Sequence, residues 1–186
     1  MNRRSALLAT LSALSLAACG TPQYRTGGLE IETGSVYTLA AGDRLRIIVF
    51  GQDNLSNIYA VDGGGRIALP LIGSVQVAGK TTAQVEQDIA AKLKGGYIRE
   101  PKVTVEVDTY RPFFILGEVT NSGQFPYVNG MTVQTAVAIA GGYTPRAAKD
   151  YAELTRQTHR GLLAGVVPIT YPVRPGDTIV IKERWF

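Results

Sequence analysis

The sequence predicts an α+β fold made of two small modules that follow one another along the chain. Short segments with alternating apolar residues occur in both halves, and each half also carries one helix signal. Strands and helices do not alternate regularly enough for a doubly wound sheet. The 186 residues, 45% of them hydrophobic, are sufficient for one or two small domains with hydrophobic cores.

The first half contains four predicted strands and a helix. The first strand follows a glycine–aspartate turn, and two short strands are expected over 66–69 and 74–77. Thr81 and Gln84 form a capping box that begins the helix, and Gly95 ends it. The apolar positions are Leu45, Ile47 and Val49 in the first strand, Val85, Ile89 and Leu93 in the helix, and Val103, Val105 and Val107 in the last strand.

The second half opens with a predicted strand that ends at Gly117, and its hairpin partner begins at Gly123. Thr132 begins a short helix, which Gly141 and Gly142 end. Its apolar face consists of Val133, Ala136, Val137 and Ala140, and further strands are expected over 151–155, 162–167 and 178–182.

The two halves share a short pattern, because "YTLAAGDRLRIIV" near the start resembles "YPVRPGDTIVIKE" near the end. One explanation is that glycine–aspartate simply makes a good turn before a strand; the other is a repeated α+β module. In either case Gly42, Asp43, Gly176 and Asp177 are predicted to form structural turns, not catalytic sites. An aspartate can accept local backbone hydrogen bonds there, and losing one such bond costs about 1 kcal/mol.

The N-terminus has the pattern of a secretory signal peptide. Arg3 and Arg4 precede an apolar run over 6–16, shorter than the ~20 residues that a membrane-spanning helix requires. The Leu-Ala-Ala-Cys sequence that ends at Cys19 resembles the lipobox of bacterial lipoproteins. This resemblance implies cleavage between Ala18 and Cys19 and attachment of lipid to Cys19. The alternatives are an ordinary signal with a chance cysteine nearby, or a twin-arginine export signal.

No catalytic residue, metal site or cofactor is predicted. The chain has one cysteine, Cys19, and one histidine, His159, so neither an intrachain disulfide nor a Cys/His metal site is expected. His159 is predicted to lie in a solvated turn. The segment 73–81 has one residue too many between its glycines for a phosphate-binding loop, and no serine lies in a nucleophile elbow. An enzyme is therefore not expected.

The charge of the chain does not favour nucleic acid as a partner. Lys and Arg number 19 against 15 Asp and Glu, and two of the arginines lie in the predicted signal. No segment clusters basic residues with aromatic ones, as a nucleic-acid-binding surface would require.

The order of short motifs along the chain carries a family resemblance. The first half contains Tyr37-x-Leu39-x-x-Gly42-Asp43, Ile67-x-Leu69-Pro70-x-Ile72-Gly73 and Tyr97-x-x-x-Pro101. The second half contains Gly117-x-Val119, Gly123-x-Phe125, Ala140-Gly141-Gly142 and Pro175-Gly176-Asp177. In this order, and behind a lipobox, the motifs resemble the outer-membrane polysaccharide export proteins, the Wza-like family.

The resemblance implies a division of the chain into four parts. These are a lipoprotein signal peptide over 1–18, a lipid anchor and tether over 19–35, a polysaccharide-export domain over 36–110, and a soluble-ligand-binding β-grasp (SLBB) domain over 111–186.

The resemblance also implies a function and a set of partners. The expected function is a lipid-anchored component, at the periplasmic face of the outer membrane, that conducts capsular polysaccharide or exopolysaccharide without chemistry. Its expected partners are further copies in a ring, an inner-membrane co-polymerase that is often a tyrosine kinase, and the polysaccharide itself. The alternative is a monomeric periplasmic glycan-binding lipoprotein. The resemblance assigns no glycan-contacting residue.

The C-terminal sequence bears on how the polymer would cross the membrane. No long apolar or amphipathic helix is predicted near residue 186, so a separate outer-membrane β-barrel is an expected partner. Trp185 and Phe186 are expected to close the hydrophobic core and not to touch a membrane interface.

Overall fold

The structure, a computed structural model, describes Leu29, residues 36–158 and residues 161–185. Its strands and helices form two modules, each with its own hydrophobic core. One core is built from side chains between Leu39 and Val105, and the other mainly from side chains between Phe113 and Ile181. The predicted α+β fold class is confirmed.

The described part of the N-terminal module combines a three-stranded sheet, a hairpin, one α-helix and a short 3-10 helix at Asp53–Leu55. Its strands are β1 (Arg44–Val49), β2 (Asn57–Ala60), β3 (Arg66–Leu69), β4 (Gly73–Gln76) and β5 (Val103–Thr109), and its helix is α1 (Thr82–Lys94). The sheet has the order β2-β1-β5 with antiparallel pairs, while β3 and β4 form a separate antiparallel hairpin. Leu45, Ile47 and Val49 of β1 all point into the core, as the alternating pattern predicts.

Helix α1 begins at the capping box that the sequence predicts. The Gln84 backbone N–H donates to the Thr81 hydroxyl at 3.3 Å, and the Thr81 N–H donates to the Gln84 side chain at 2.9 Å. Val85, Ile89 and Leu93 are fully buried, so the helix buries the face that its sequence spacing specifies.

The C-terminal module is a five-stranded sheet covered by one short helix. Its strands are β6 (Phe113–Gly117), β7 (Gly123–Phe125), β8 (Tyr151–Thr158), β9 (Gly161–Pro168) and β10 (Thr178–Ile181), and its helix is α2 (Val133–Ile139). The strand order is β7-β6-β10-β8-β9. Strand β10 therefore lies between β6, to which it is parallel, and β8, to which it is antiparallel.

Gly117 ends β6 at a point where two backbones come very close. Its φ is +87°, a conformation that residues with a side chain rarely adopt. A Cβ atom at this position would lie 2.1 Å from the carbonyl oxygen of Ile181 on the neighbouring strand β10. Glycine is therefore required here both by the backbone conformation and by the lack of space.

Three features differ from the sequence analysis or add to it. Strand β2 was not predicted, because its four residues show no apolar alternation; in the structure two of them are exposed and two are half-buried. Trp185 does not close the core: its side chain is 92% exposed, so this prediction is wrong. Leu29, in the stretch predicted as a tether, is 2% exposed and packs in the core of the C-terminal module.

Several predictions fall on residues outside the described part of the chain. They concern the signal peptide, cleavage after Ala18, the lipid site at Cys19, the turn at His159, and Phe186. Among the residues that the structure covers, no helix is both long and apolar enough to cross a membrane.

Candidate functional site: two glycine–aspartate turns and their arginines

The predicted turns occupy equivalent places in the two modules, each immediately before a central strand. Gly42 and Gly176 have φ values of +92° and +86°, which favour glycine. Asp43 and Asp177, the residues that follow, have no exposed surface at all. Burying a carboxylate is costly unless it is paired and hydrogen-bonded, so the partners of these two side chains define the site.

Each aspartate closes its own turn in the same way. The Ala40 N–H donates to Asp43 Oδ2 at 2.9 Å, and the Arg174 N–H donates to Asp177 Oδ2 at 2.7 Å. In return, the Asp43 N–H donates to the Ala40 carbonyl at 3.2 Å, and the Asp177 N–H donates to the Arg174 carbonyl at 3.1 Å. The carboxylate thus satisfies a backbone donor three residues earlier, a local hydrogen bond that is typical of aspartate in turns.

In the C-terminal module the aspartate is paired with a buried arginine from β8. Arg156 donates from Nε to Asp177 Oδ1 at 2.9 Å and from Nη2 to Oδ2 at 2.7 Å, a bidentate pair. The Arg156 side chain is only 8% exposed. Burial opposes its charge, but the hydrogen bond and the charge of Asp177 raise the pKa of the guanidinium above its ordinary value. This is a fully formed buried ion pair.

In the N-terminal module the arginine comes from the connection that leads into the second module. The Arg111 backbone N–H donates to Asp43 Oδ1 at 3.0 Å, and its Nη1 lies 3.5 Å from Asp43 Oδ2. The same Nη1 donates to the hydroxyl of Tyr37 at 3.0 Å. The Arg111 side chain is 22% exposed, so this ion pair is less buried than the first.

A tyrosine completes each arrangement. Tyr37 and Tyr171 stand six residues before the aspartates, and the guanidinium carbon of the paired arginine lies 5.9 Å and 5.6 Å from the respective ring centres. These are cation–π distances. The shared sequence pattern therefore corresponds to a shared Tyr–Asp–Arg arrangement, which supports the interpretation as a repeat.

Sequence reasoning found the turns but missed Arg111 and Arg156. Arg156 does leave a signal, because Ala152, Leu154 and Arg156 alternate on the buried side of β8. A charged residue at an inward-facing position of a strand requires a buried partner of opposite charge. Arg111 leaves no comparable signal, since it lies in a connection.

The two turns engage the buried charges of the described part of the chain. Within the described ranges the buried charged side chains are Asp43, Arg156 and Asp177, and all three are engaged in the two turns. No group of three or more His, Cys, Asp or Glu that could hold a metal ion occurs among those residues.

Tyr37 provides a pH-dependent test of the first turn. Its hydroxyl donates to Asp43 Oδ2 at 2.6 Å, and burial, followed by that hydrogen bond, raises the pKa of the phenol well above its ordinary value. A raised pKa means that the stability is present below about pH 10, where unfolded tyrosine is neutral, and is lost as the pH rises further. The loss is smaller than the limit of ~1.4 kcal/mol per pH unit, because the ring is partly exposed to screening solvent.

We expect Tyr37→Phe to reduce the slope of unfolding free energy against pH between pH 10 and 11, measured by urea denaturation. Part of the slope will remain, because burial also raises the pKa of Tyr59, Tyr127 and Tyr143. If the variant keeps the full wild-type slope, the pH dependence of the unfolding free energy in this range does not come from Tyr37.

The chain is thus a two-module α+β protein in which two buried carboxylates accept hydrogen bonds from backbone N–H groups at the turns. The family model described as "Polysaccharide biosynthesis/export protein" matches residues 32–108, and the SLBB domain model matches residues 112–167. Together the two matches cover most of the chain. The protein therefore belongs to the polysaccharide-export family, with one export domain followed by one SLBB domain.

Curated relatives agree with this assignment. The exopolysaccharide production protein ExoF of Rhizobium meliloti is 32% identical over 80% of this chain and 36% of its own length. The EPS I polysaccharide export outer membrane protein EpsA of Ralstonia nicotianae is 29% identical, over 92% of this chain and 45% of its own. The polysialic acid transport protein KpsD of Escherichia coli is 28% identical, over 80% of this chain and 28% of its own length. The chain thus spans less than half the length of these relatives.

Proposed function

We propose that this protein is a non-enzymatic component of a machinery that exports capsular polysaccharide or exopolysaccharide. The observation that carries the proposal is the order of its domains: an export domain and an SLBB domain, each coinciding with one hydrophobic core. Relatives that share both regions are named for polysaccharide production, export or transport. The buried charges of the described part support a non-catalytic role, because the turns already use them.

The proposed location is the periplasmic face of the outer membrane, with Cys19 as the lipid attachment site. Support comes from the export signal and the Leu-Ala-Ala-Cys sequence before residue 20, and from the relative EpsA, which is named as an outer membrane protein. Stable anchoring requires more than one acyl chain, because a single myristoyl chain binds a bilayer with K of only about 10⁴ M⁻¹. A multiply acylated cysteine meets this requirement.

We further propose that the protein works as a ring of identical copies and receives polymer from an inner-membrane co-polymerase. A hydrated polymer needs a wide polar conduit, and several copies arranged around an axis can enclose one between them. A ring would provide it without any catalytic group.

Deleting the gene is expected to abolish surface polysaccharide, and the wild-type gene should restore it. Cys19→Ser should restore it poorly, because the protein would lose its acylation site and leave the membrane fraction. The measurements are surface polysaccharide, the distribution of the protein between membrane and soluble fractions, and the mass of the detergent-extracted protein by light scattering.

The possible failures of this experiment have different meanings. A deletion strain with normal surface polysaccharide would overturn the function. A Cys19→Ser protein that is cleaved after residue 18 and remains equally membrane-bound would overturn only the anchor. A monomeric mass would overturn the ring and favour a glycan-binding lipoprotein.

A further inference from the structure

We propose that Arg111 fixes the orientation of the export domain relative to the SLBB domain. Arg111 lies in the short connection between β5 and β6, after the export domain and before the first SLBB strand. Domains of one chain generally move relative to each other unless the interface between them is large and hydrophobic. Here Arg111 contacts both glycine–aspartate turns and so connects the two domains.

The contact with the export domain uses both the backbone and the side chain. The Arg111 N–H donates to the buried carboxylate of Asp43, and Nη1 donates to Tyr37. A rotation of the connection would withdraw the Arg111 N–H from Oδ1 of a carboxylate that has no exposed surface, and Nη1 from Tyr37. Taking a donor away from a buried acceptor is costly, so the connection is held against the first turn.

The contact with the SLBB domain is made by the same side chain. A Cβ atom at Gly176 would lie 2.6 Å from Arg111 Nε and 3.3 Å from its Cδ, so the guanidinium stem lies directly against the second turn. The Gly176 N–H also donates to the Pro112 carbonyl at 3.0 Å. Gly176 is favoured by its positive φ, and the Arg111 side chain fills the space beside it.

The adjacent aromatic residues extend this junction. Tyr110 packs edge-on against Tyr37 of the export domain, with ring centres 5.0 Å apart, and against Tyr127 of the SLBB domain, at 5.4 Å. Arg156, by contrast, plays the corresponding role for Asp177 entirely within the SLBB domain. The first turn is thus completed by a residue that also contacts the second domain, which couples the position of one domain to the other.

Distances between spin labels on the two helices test this proposal. Labels are attached at Gln87→Cys on α1 and Ala138→Cys on α2, two exposed positions, in a Cys19→Ser background that leaves no other thiol. The parent protein should give a single narrow distance distribution, and Arg111→Ala should lose it in favour of a broad one. Arg46→Ala is the matched control and should leave the distribution narrow, because it removes an exposed ion pair with Asp108 within the export domain.

Each outcome decides the question. A folded Arg111→Ala protein with an unchanged narrow distribution overturns the proposal. If Arg111→Ala does not fold, Arg111→Met retains the packing of the stem and the backbone N–H but loses the guanidinium donors; a broad distribution in that variant supports the proposal and a narrow one overturns it. If neither variant folds, Arg111 is needed for the folding of a domain and not for its orientation, which also overturns the proposal.

Discussion

Asp177→Ala is expected to destabilise the SLBB domain by about 3–5 kcal/mol, because it removes one partner of a buried ion pair. Asp177 has no exposed surface, and the Arg156 side chain that it binds is 8% exposed. Without the carboxylate, the guanidinium remains buried and unpaired. Since domains are stable by only about 5–15 kcal/mol, much of the SLBB domain would unfold. Urea denaturation followed by circular dichroism measures the loss.

Two matched variants separate the buried charge from the turn itself. Asp43→Ala removes the equivalent turn carboxylate, but its arginine is 22% exposed and can turn toward water, so the loss should be smaller. The double variant Asp177→Ala/Arg156→Met should recover part of the stability, because it leaves no unpaired charge. A loss of only about 1 kcal/mol in Asp177→Ala, the value for one hydrogen bond, would contradict the importance of the pair. Polysaccharide export should fall only in proportion to the folded protein that remains.

Gly117→Ala is expected to cost roughly 3–5 kcal/mol, since a strained φ and a backbone clash act together. The added Cβ would lie 2.1 Å from the Ile181 carbonyl oxygen, which is part of the backbone and cannot rotate away. The clash falls on the parallel pair of β6 and β10 at the centre of the sheet. Thermal unfolding of the variant and the wild type measures the effect.

Gly142→Ala is the control for this substitution. Gly142 has a similar φ of +92°, but no atom lies within 4 Å of the place where its Cβ would be. Its substitution should cost only about 1–2 kcal/mol, the price of the backbone conformation alone. Equal losses at the two positions would show that the approach of Gly117 to Ile181 contributes nothing.

The parts of the fold that could be predicted from the sequence are those with local causes. A capping box involves residues three apart, and both helices begin at the predicted threonines, Thr81 and Thr132. Alternation along a single strand is also local, and it located β1 and β5 correctly. In each case the interacting groups lie within a few residues, so the pattern is visible in a short segment.

The parts that could not be predicted depend on residues far apart in the chain. Strand β2 exists because it pairs with β1, and nothing in its own sequence requires it. The parallel pairing of β6 with β10 joins segments more than sixty residues apart. Trp185 shows the opposite case, because an aromatic side chain near the end of the module suggested a core position that the structure does not provide.

The candidate site, like the fold, could be predicted from the sequence only where its hydrogen bonds join residues close together in the chain. The glycine–aspartate turns follow from short-range chemistry, namely a glycine φ and an aspartate that accepts a backbone hydrogen bond three residues away. Their arginines come from 68 and 21 residues away along the chain. Only the tertiary structure shows which arginine each aspartate binds. Asp177 pairs with Arg156 of its own domain, whereas Asp43 pairs with Arg111 of the connection.

The central position of β10 has a consequence for how the chain folds as it is synthesised. The strands and the helix of the export domain all precede residue 110, so this domain can fold as soon as its own sequence has emerged. The SLBB sheet cannot, because β10 separates β6 from β8 and is the last of its strands to appear. Until then β6 has no partner on that side, and the buried side chains Phe113 and Ile115 lack their neighbours on β10. The second domain must therefore fold after its synthesis is almost complete, and the edges of β6 and β8 that await β10 are open to aggregation during that interval.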